Sequence, residues 1–150
     1  TLYRMDERMD HGPILVQERL DNYDPKTAHY PELLRSLAAL GGDMAVRLLP
    51  EFFAGRATET AQDHARATIT KKYKTDDAFI APEDLSLAES GDAKLAEFID
   101  RKIRALNPEP GVWTNKNGKR TKLLEAKRKE GALHITRLQV EGKKPQDLVG

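Results

Sequence analysis

The sequence predicts a mixed α/β chain in two parts: two short strands and a long helical run, then a connector, then one helix and a small β structure. Three observations carry this prediction. Leu33, Leu34, Leu37, Leu40, Met44, Leu48, Leu49, Phe52 and Phe53 recur at helical spacing. A second stripe, Leu95, Phe98, Ile99, Ile103 and Leu106, has the same period and is separated from the first by about 40 residues with none. After Gly111 the pattern becomes strand-like, punctuated by Asn117-Gly118 and Glu130-Gly131.

Each element has its own local signal. Thr1 to Met5 and Pro13 to Glu18 read as strands around a polar turn. Pro31 suits the first turn of the following helix, Gly41-Gly42 predicts a break or bend in it, and Gly55 predicts its end. Residues 56 to 90 show no sustained period and are expected to form an extended connector with one short strand at Ala67 to Thr70. Ser90 or Asp92 can cap the next helix, whose Arg101, Lys102 and Arg104 suit the negative end of its dipole. Asn107-Pro108 ends it, because a residue before proline is pushed out of the helical region. Strands are expected at Val112 to Thr114, Thr121 to Lys127 and Leu133 to Val140. In the last, Leu133 and Ile135 share one face and Leu138 and Val140 the other, predicting a bulge near Thr136-Arg137.

Composition narrows the classes. The 150 residues hold no cysteine, which excludes a disulfide scaffold, a Cys-liganded zinc and a thiol nucleophile. Leu, Ile, Val and Phe make up 33 of the 150 residues, so the core is expected to be thin. Leu48 to Phe53, the longest apolar stretch, contains Pro50 and Glu51 and falls far short of the roughly 18 residues of a membrane span. Thr1 to Met9 has no signal-peptide core, so a cytoplasmic protein with no membrane partner is expected. The net charge of +1 conceals a polarity: residues 1–65 carry −4, 66–110 carry −1 and 111–150 carry +6. A basic end on a neutral chain suits a polyanion contacted at that end.

The densest chemistry is Met5-Asp6-Glu7-Arg8-Met9-Asp10-His11-Gly12-Pro13-Ile14-Leu15. A carboxylate in a turn beside glycine can act as a base or an orienting group, although Asp and Gly are also ordinary turn residues. Read as M-D-x-x-M-D-x-G-P-I-L, the run resembles the catalytic aspartate loop of the folate-dependent formyltransferases. Gln62 to Lys72 resembles the Q-D-x-S-x-A-T-x-x-x-K linker of the methionyl-tRNA formyltransferase family, and Ile103 to Thr114 its I-R-A-x-N-P-x-P-G-x-W-T entry to the C-terminal domain.

The resemblance implies formyl transfer from the cosubstrate 10-formyltetrahydrofolate to the amine of methionyl initiator tRNA, with no metal. In that family an asparagine and a histidine stabilise the oxyanion of the tetrahedral intermediate, and an aspartate orients and helps to deprotonate the system. Asp10 matches the aspartate, and Asp6, Met9, Asp10 and Gly12 would face the folate. The family's catalytic histidine lies in another motif, N-x-H-x-S-L-L-P, which no stretch of these 150 residues matches, so His11 is not its counterpart. The chain is therefore expected to be the back half of such an enzyme, inactive alone, with a monomer expected at full length. Arg8 stands where many relatives have glycine, which is tolerable only if the turn needs no positive φ there.

The implied organisation is an α/β remnant at 1–55, the end of a Rossmann-like formyltransferase domain; a linker at 56–74; and a shortened, partly open OB-like domain of one helix and strands at 75–150. Lys71, Lys72, Lys74, Lys116, Lys119 and Arg120 are the candidate tRNA contacts, with Lys122 beside them, because phosphate contact needs projecting cations without base readout. Trp113 is expected to pack rather than to stack on a base. Two other readings remain open: a sugar-nucleotide N-formyltransferase, which shares the aspartate loop, and a non-enzymatic RNA-binding module retaining residues 56–150. The match at 62–72 and the basic tail favour the tRNA enzyme.

Overall fold

The computed structural model describes residues 1–21 and 23–148, so the last two residues of the expected C-terminal region lie outside the described residues. The chain forms two compact units, one of Thr1–Pro25 with Glu32–Lys71 and one of Lys26–Pro31 with the chain from Lys72 onward.

In the first unit, β1 (Leu2–Tyr3) and β2 (Ile14–Val16) pair antiparallel, with Leu2 opposite Val16 and Tyr3 opposite Ile14. Ile14 also exchanges both backbone hydrogen bonds with Thr60, at 2.8 and 2.9 Å, which ties the segment after the helix to β2. The long helix α1 runs unbroken over Tyr30–Phe53. The break expected at Gly41-Gly42 does not occur. No neighbouring atom presses on either glycine, and the roughly 1 kcal/mol that each costs relative to alanine is not enough to interrupt a 24-residue helix. The stop is as expected: Gly55, at φ +71°, lets Arg56 N reach Glu51 O at 2.9 Å and its own N reach Phe52 O at 3.1 Å. Along α1 only Met44 is buried, while Leu34, Leu37, Val46, Leu49 and Phe53 stay exposed.

The second unit holds the core. Helix α2 (Pro82–Glu89) and helix α3 (Ala93–Leu106) pack against an antiparallel sheet in the order β3 (Trp113–Lys116), β4 (Lys119–Lys129), β5 (Ala132–Val140), β6 (Gln146–Asp147). Ile80, Leu85, Ile99, Ile103, Val112, Leu123 and Leu133 fill the space between them. Helix α2 corrects the extended connector expected over 56–90: Pro82 opens it with Glu83 and Asp84 in the first turn, but eight residues are too few to show a helical period. The expected strand at 67–70 is also absent, and Ile69 is 97% exposed.

For α3 the expectations hold at both ends. Asp92 Oδ1 accepts from Lys94 N and Leu95 N at 3.0 and 3.1 Å, and Asn107 leaves the helical region at ψ 140°. Two side chains depart from them. Phe98 is exposed, and Arg104 is buried rather than solvated at the helix end, bonded to Asp100 Oδ2 at 3.1 Å and to Ala28 O at 2.9 Å. Asn117-Gly118 and Glu130-Gly131 are two-residue turns with positive φ at both positions. The β4–β5 register shifts where Glu125 meets Arg137, so Leu133 and Leu138 are both buried despite their odd spacing.

Asn107 joins the helix to the sheet: Nδ2 donates to Leu123 O and Leu124 O at 2.8 and 3.0 Å, and Oδ1 accepts from Val112 N at 3.0 Å. Asn107→Ala should therefore lower stability by about 1–3 kcal/mol, seen as a lower urea midpoint at unchanged m, because buried backbone groups lose their partners. An unchanged midpoint would show that water replaces them.

Candidate functional site

The loop from Arg4 to Pro13 is closed by Arg4 N donating to Pro13 O at 3.0 Å. Gly12 is buried where this closure is tightest, and a Cβ there would lie 1.8 Å from Arg4 O, so any side chain would force the loop open. Positive φ falls on Asp10, at 53°, and not on Arg8, so the turn accommodates an arginine at residue 8 without backbone strain. Aspartate tolerates this left-handed conformation better than most residues.

Two carboxylates are held differently. Asp6 Oδ1 accepts from Arg8 N at 2.9 Å and Oδ2 lies 2.6 Å from His11 Nδ1; the His11 hydrogen bond, followed by the Arg8 amide, holds the Asp6 carboxyl below its ordinary value. Asp10 Oδ1 accepts from Tyr3 Oη at 2.9 Å, and this bond pushes the Tyr3 phenol above its ordinary value. Asp10 Oδ2 has no hydrogen-bond partner among the described residues.

The segment after α1 grips the loop. Gln62 Nε2 donates to Asp10 O at 3.0 Å and to Gly12 O at 2.7 Å, fixing the main chain on either side of His11. The His11 and His64 rings stack 3.9 Å apart and almost parallel. His64 begins a short 3₁₀ turn capped by Asp63, whose Oδ1 accepts from Ala65 N at 3.1 Å. Arg4 pairs with Glu59 at 2.8 Å. Beside these contacts opens a cavity of about 740 Å³, lined by Met9, Asp10, His11 and Ile14 from the loop side and by residues between Ala61 and Thr70 from the other. Of the loop residues expected at the site, Met9 and Asp10 reach this cavity, whereas Asp6 and Gly12 lie outside its lining and shape the loop instead.

The basic residues separate into two kinds. Lys71, Lys72 and Lys74 lie exposed in an irregular stretch, and Lys116 and Lys119 are exposed partners across the Asn117-Gly118 turn. Arg120 is half-buried instead. Its guanidinium carbon stands 4.4 Å over the Trp113 ring, its Nε is buried without a hydrogen-bond partner among the described residues, and it lines a 240 Å³ recess with Pro110, Lys122, Gln139 and Glu141. Trp113 is packed, with Phe79 at 4.6 Å and Nε1 donating to Thr75 O at 2.9 Å. Sequence reasoning missed Tyr3 as a partner of Asp10 and Gln62 as the loop's clamp. No local pattern marks Tyr3, and Gln62 opened a matched motif without a physical role attached to it. Among the described residues no group of three or more His, Asp or Glu side chains could hold a metal ion, and no helix is long and apolar enough to cross a membrane.

Residues 93–132, from α3 into the start of β5, match the family described as formyl transferase, C-terminal domain. The chain as a whole is homologous to methionyl-tRNA formyltransferase. It is 36% identical over 126 residues to that enzyme from Chloroflexus aurantiacus, covering 84% of this chain and 37% of the relative. It is 34% identical over 149 residues to that from Carboxydothermus hydrogenoformans, covering 99% of this chain and 42% of the relative. The chain thus spans about two fifths of the length of these curated relatives. The methionyl-tRNA formyltransferase structure from Clostridium thermocellum shares the fold at a TM-score of 0.62 with 23% identity, over 92% of this chain and 53% of that one.

The Asp6–His11 contact has a defined pH signature. A carboxyl held below its ordinary value of 3.8 adds stability that is complete above that value and is lost as pH falls through the lower folded value. The melting temperature of the wild type should exceed that of Asp6→Asn at pH 5 and converge with it in strong acid; a gap that persists there would assign the effect to something other than ionisation.

Proposed function

We propose that this chain is part of an enzyme that transfers a formyl group from 10-formyltetrahydrofolate to the amine of methionyl initiator tRNA in the cytoplasm, and that Asp10 is its catalytic carboxylate. One observation supports this above the rest: Asp10 lines the cavity, with one carboxylate oxygen bonded to Tyr3 and the other without a hydrogen-bond partner among the described residues. The folate would supply the formyl group, and tetrahydrofolate would leave. As the N–formyl bond forms, the amine must lose a proton, and a fixed carboxylate oxygen can receive it directly or through one water. Gly12 and Asp6 would hold the loop in shape, and Met9 would offer an apolar contact to the pterin side of the folate.

In this reading residues 1–55 belong to the catalytic domain, 56–74 to a linker and 75–150 to a shortened OB-like domain. The exposed apolar residues of α1 are then the face on which the catalytic sheet would rest. Lys71, Lys72, Lys74, Lys116 and Lys119 would meet tRNA phosphates, with Arg120 contributing from its recess beside Trp113. The identity to methionyl-tRNA formyltransferases and the basic C-terminal segment support tRNA over an amino sugar as acceptor.

In the full-length polypeptide that contains these residues, Asp10→Asn should lower formyl transfer to methionyl-tRNA on the order of a hundred- to ten-thousandfold while tRNA affinity is retained. Undiminished turnover would remove Asp10 from the chemistry.

A further inference from the structure

We propose that Tyr3 is a positioning residue for Asp10, holding one carboxylate oxygen so that the other is presented to the cavity; this rests on the reading of Asp10 given above. The loop's main chain and the carboxylate are fixed from different places. Gln62 takes the carbonyls of residues 10 and 12, which sets the backbone but leaves the two side-chain torsions of Asp10 open. The Tyr3 hydroxyl closes them by donating to Oδ1 at 2.9 Å. Tyr3 can do so from a fixed base, because it lies on β1 opposite Ile14, and Ile14 is in turn bonded to Thr60. The carboxylate would otherwise be free to rotate, since its other oxygen has no partner among the described residues.

A hydroxyl that donates to a carboxylate also keeps its own proton more tightly, and the raised phenol of Tyr3 agrees with that direction. The donor therefore persists through the neutral range. The bond costs the carboxylate one lone-pair site and leaves Oδ2 to accept a proton, the division of labour that a catalytic carboxylate held at fixed geometry requires.

The test is a double-mutant cycle in the full-length polypeptide, read as kcat and KM for formyl transfer, together with the phenolate absorbance titration. Tyr3→Phe keeps the ring and removes only the hydroxyl. It should lower kcat on the order of ten- to a hundredfold and leave both KM values within about twofold, as expected for a misplaced catalytic group. In the Asp10→Asn background the same change should cost nothing further. In the titration, Asp10→Asn should bring one tyrosine's ionisation to lower pH, and that component should be missing in Tyr3→Phe. Equal losses from Tyr3→Phe in both backgrounds, or an unchanged kcat, would overturn the proposal while leaving Asp10 in place. If Asp10→Asn itself retains full turnover, the reading of Asp10 falls and the positioning role falls with it, and the titration then reports a structural bond only.

Discussion

The loop that carries Asp10 can close only because residue 12 has no side chain. Arg4 O occupies the space that a Cβ on Gly12 would fill, 1.8 Å from its ideal position, and the Arg4–Pro13 hydrogen bond forms across that approach. Once the loop is shut, the other contacts become possible: Asp10 is turned into the left-handed region, its carboxylate meets Tyr3, and the carbonyls on either side of His11 are presented to one amide, that of Gln62. The individual bonds are ordinary and mostly exposed, each contributing about 0.5–1.5 kcal/mol at most. Their effect is geometric. They hold Asp10, one carboxylate oxygen bonded to Tyr3, in the lining of the cavity.

The two units are stabilised by different means. The second has a conventional core, in which Ile99, Ile103, Leu123 and Leu133 are all within 1% of complete burial and Asn107 ties helix to sheet. The first has little such core, with Met44 the buried apolar residue of its long helix and five large apolar side chains of that helix left in solvent. Its order therefore rests on backbone pairing at Ile14–Thr60, the Gln62 clamp and ion pairs such as Arg4–Glu59. Two arginines of the second unit contrast with this. Buried Arg104 bonds to Asp100 and to Ala28 O, whereas half-buried Arg120 rests on Trp113 with its Nε lacking a hydrogen-bond partner among the described residues.

Much of this was legible in the sequence, and the failures have physical causes. Helix ends were readable where a cap or a left-handed stop is a local event, as at Asp92 and Gly55. The hairpins followed from Asn117-Gly118 and Glu130-Gly131, and the slipped β4–β5 register from the change of face between Ile135 and Leu138. The break expected at Gly41-Gly42 does not form because helix continuity depends on the whole run, and two glycines at roughly 1 kcal/mol each are too little to interrupt it. Helix α2 was hidden by its length, and the burial of Arg104 by the absence of any sequence sign that Asp100 and Ala28 converge on it. At the site, Asp10 was named from an ordered motif, but Tyr3 and Gln62 were not given their parts. The pairings that define those parts span 7 and about 50 residues, and no periodicity reports them.

The central claim, that the segment after α1 clamps the aspartate loop through Gln62, is tested most directly by amide hydrogen exchange across residues 4–13 in the wild type and in Gln62→Ala. Losing both bonds from Gln62 Nε2 should raise exchange on the order of tenfold in this loop, at unchanged protection of α3 and β4. Equal exchange in the two proteins would show that the loop holds its shape without the clamp and would contradict the account.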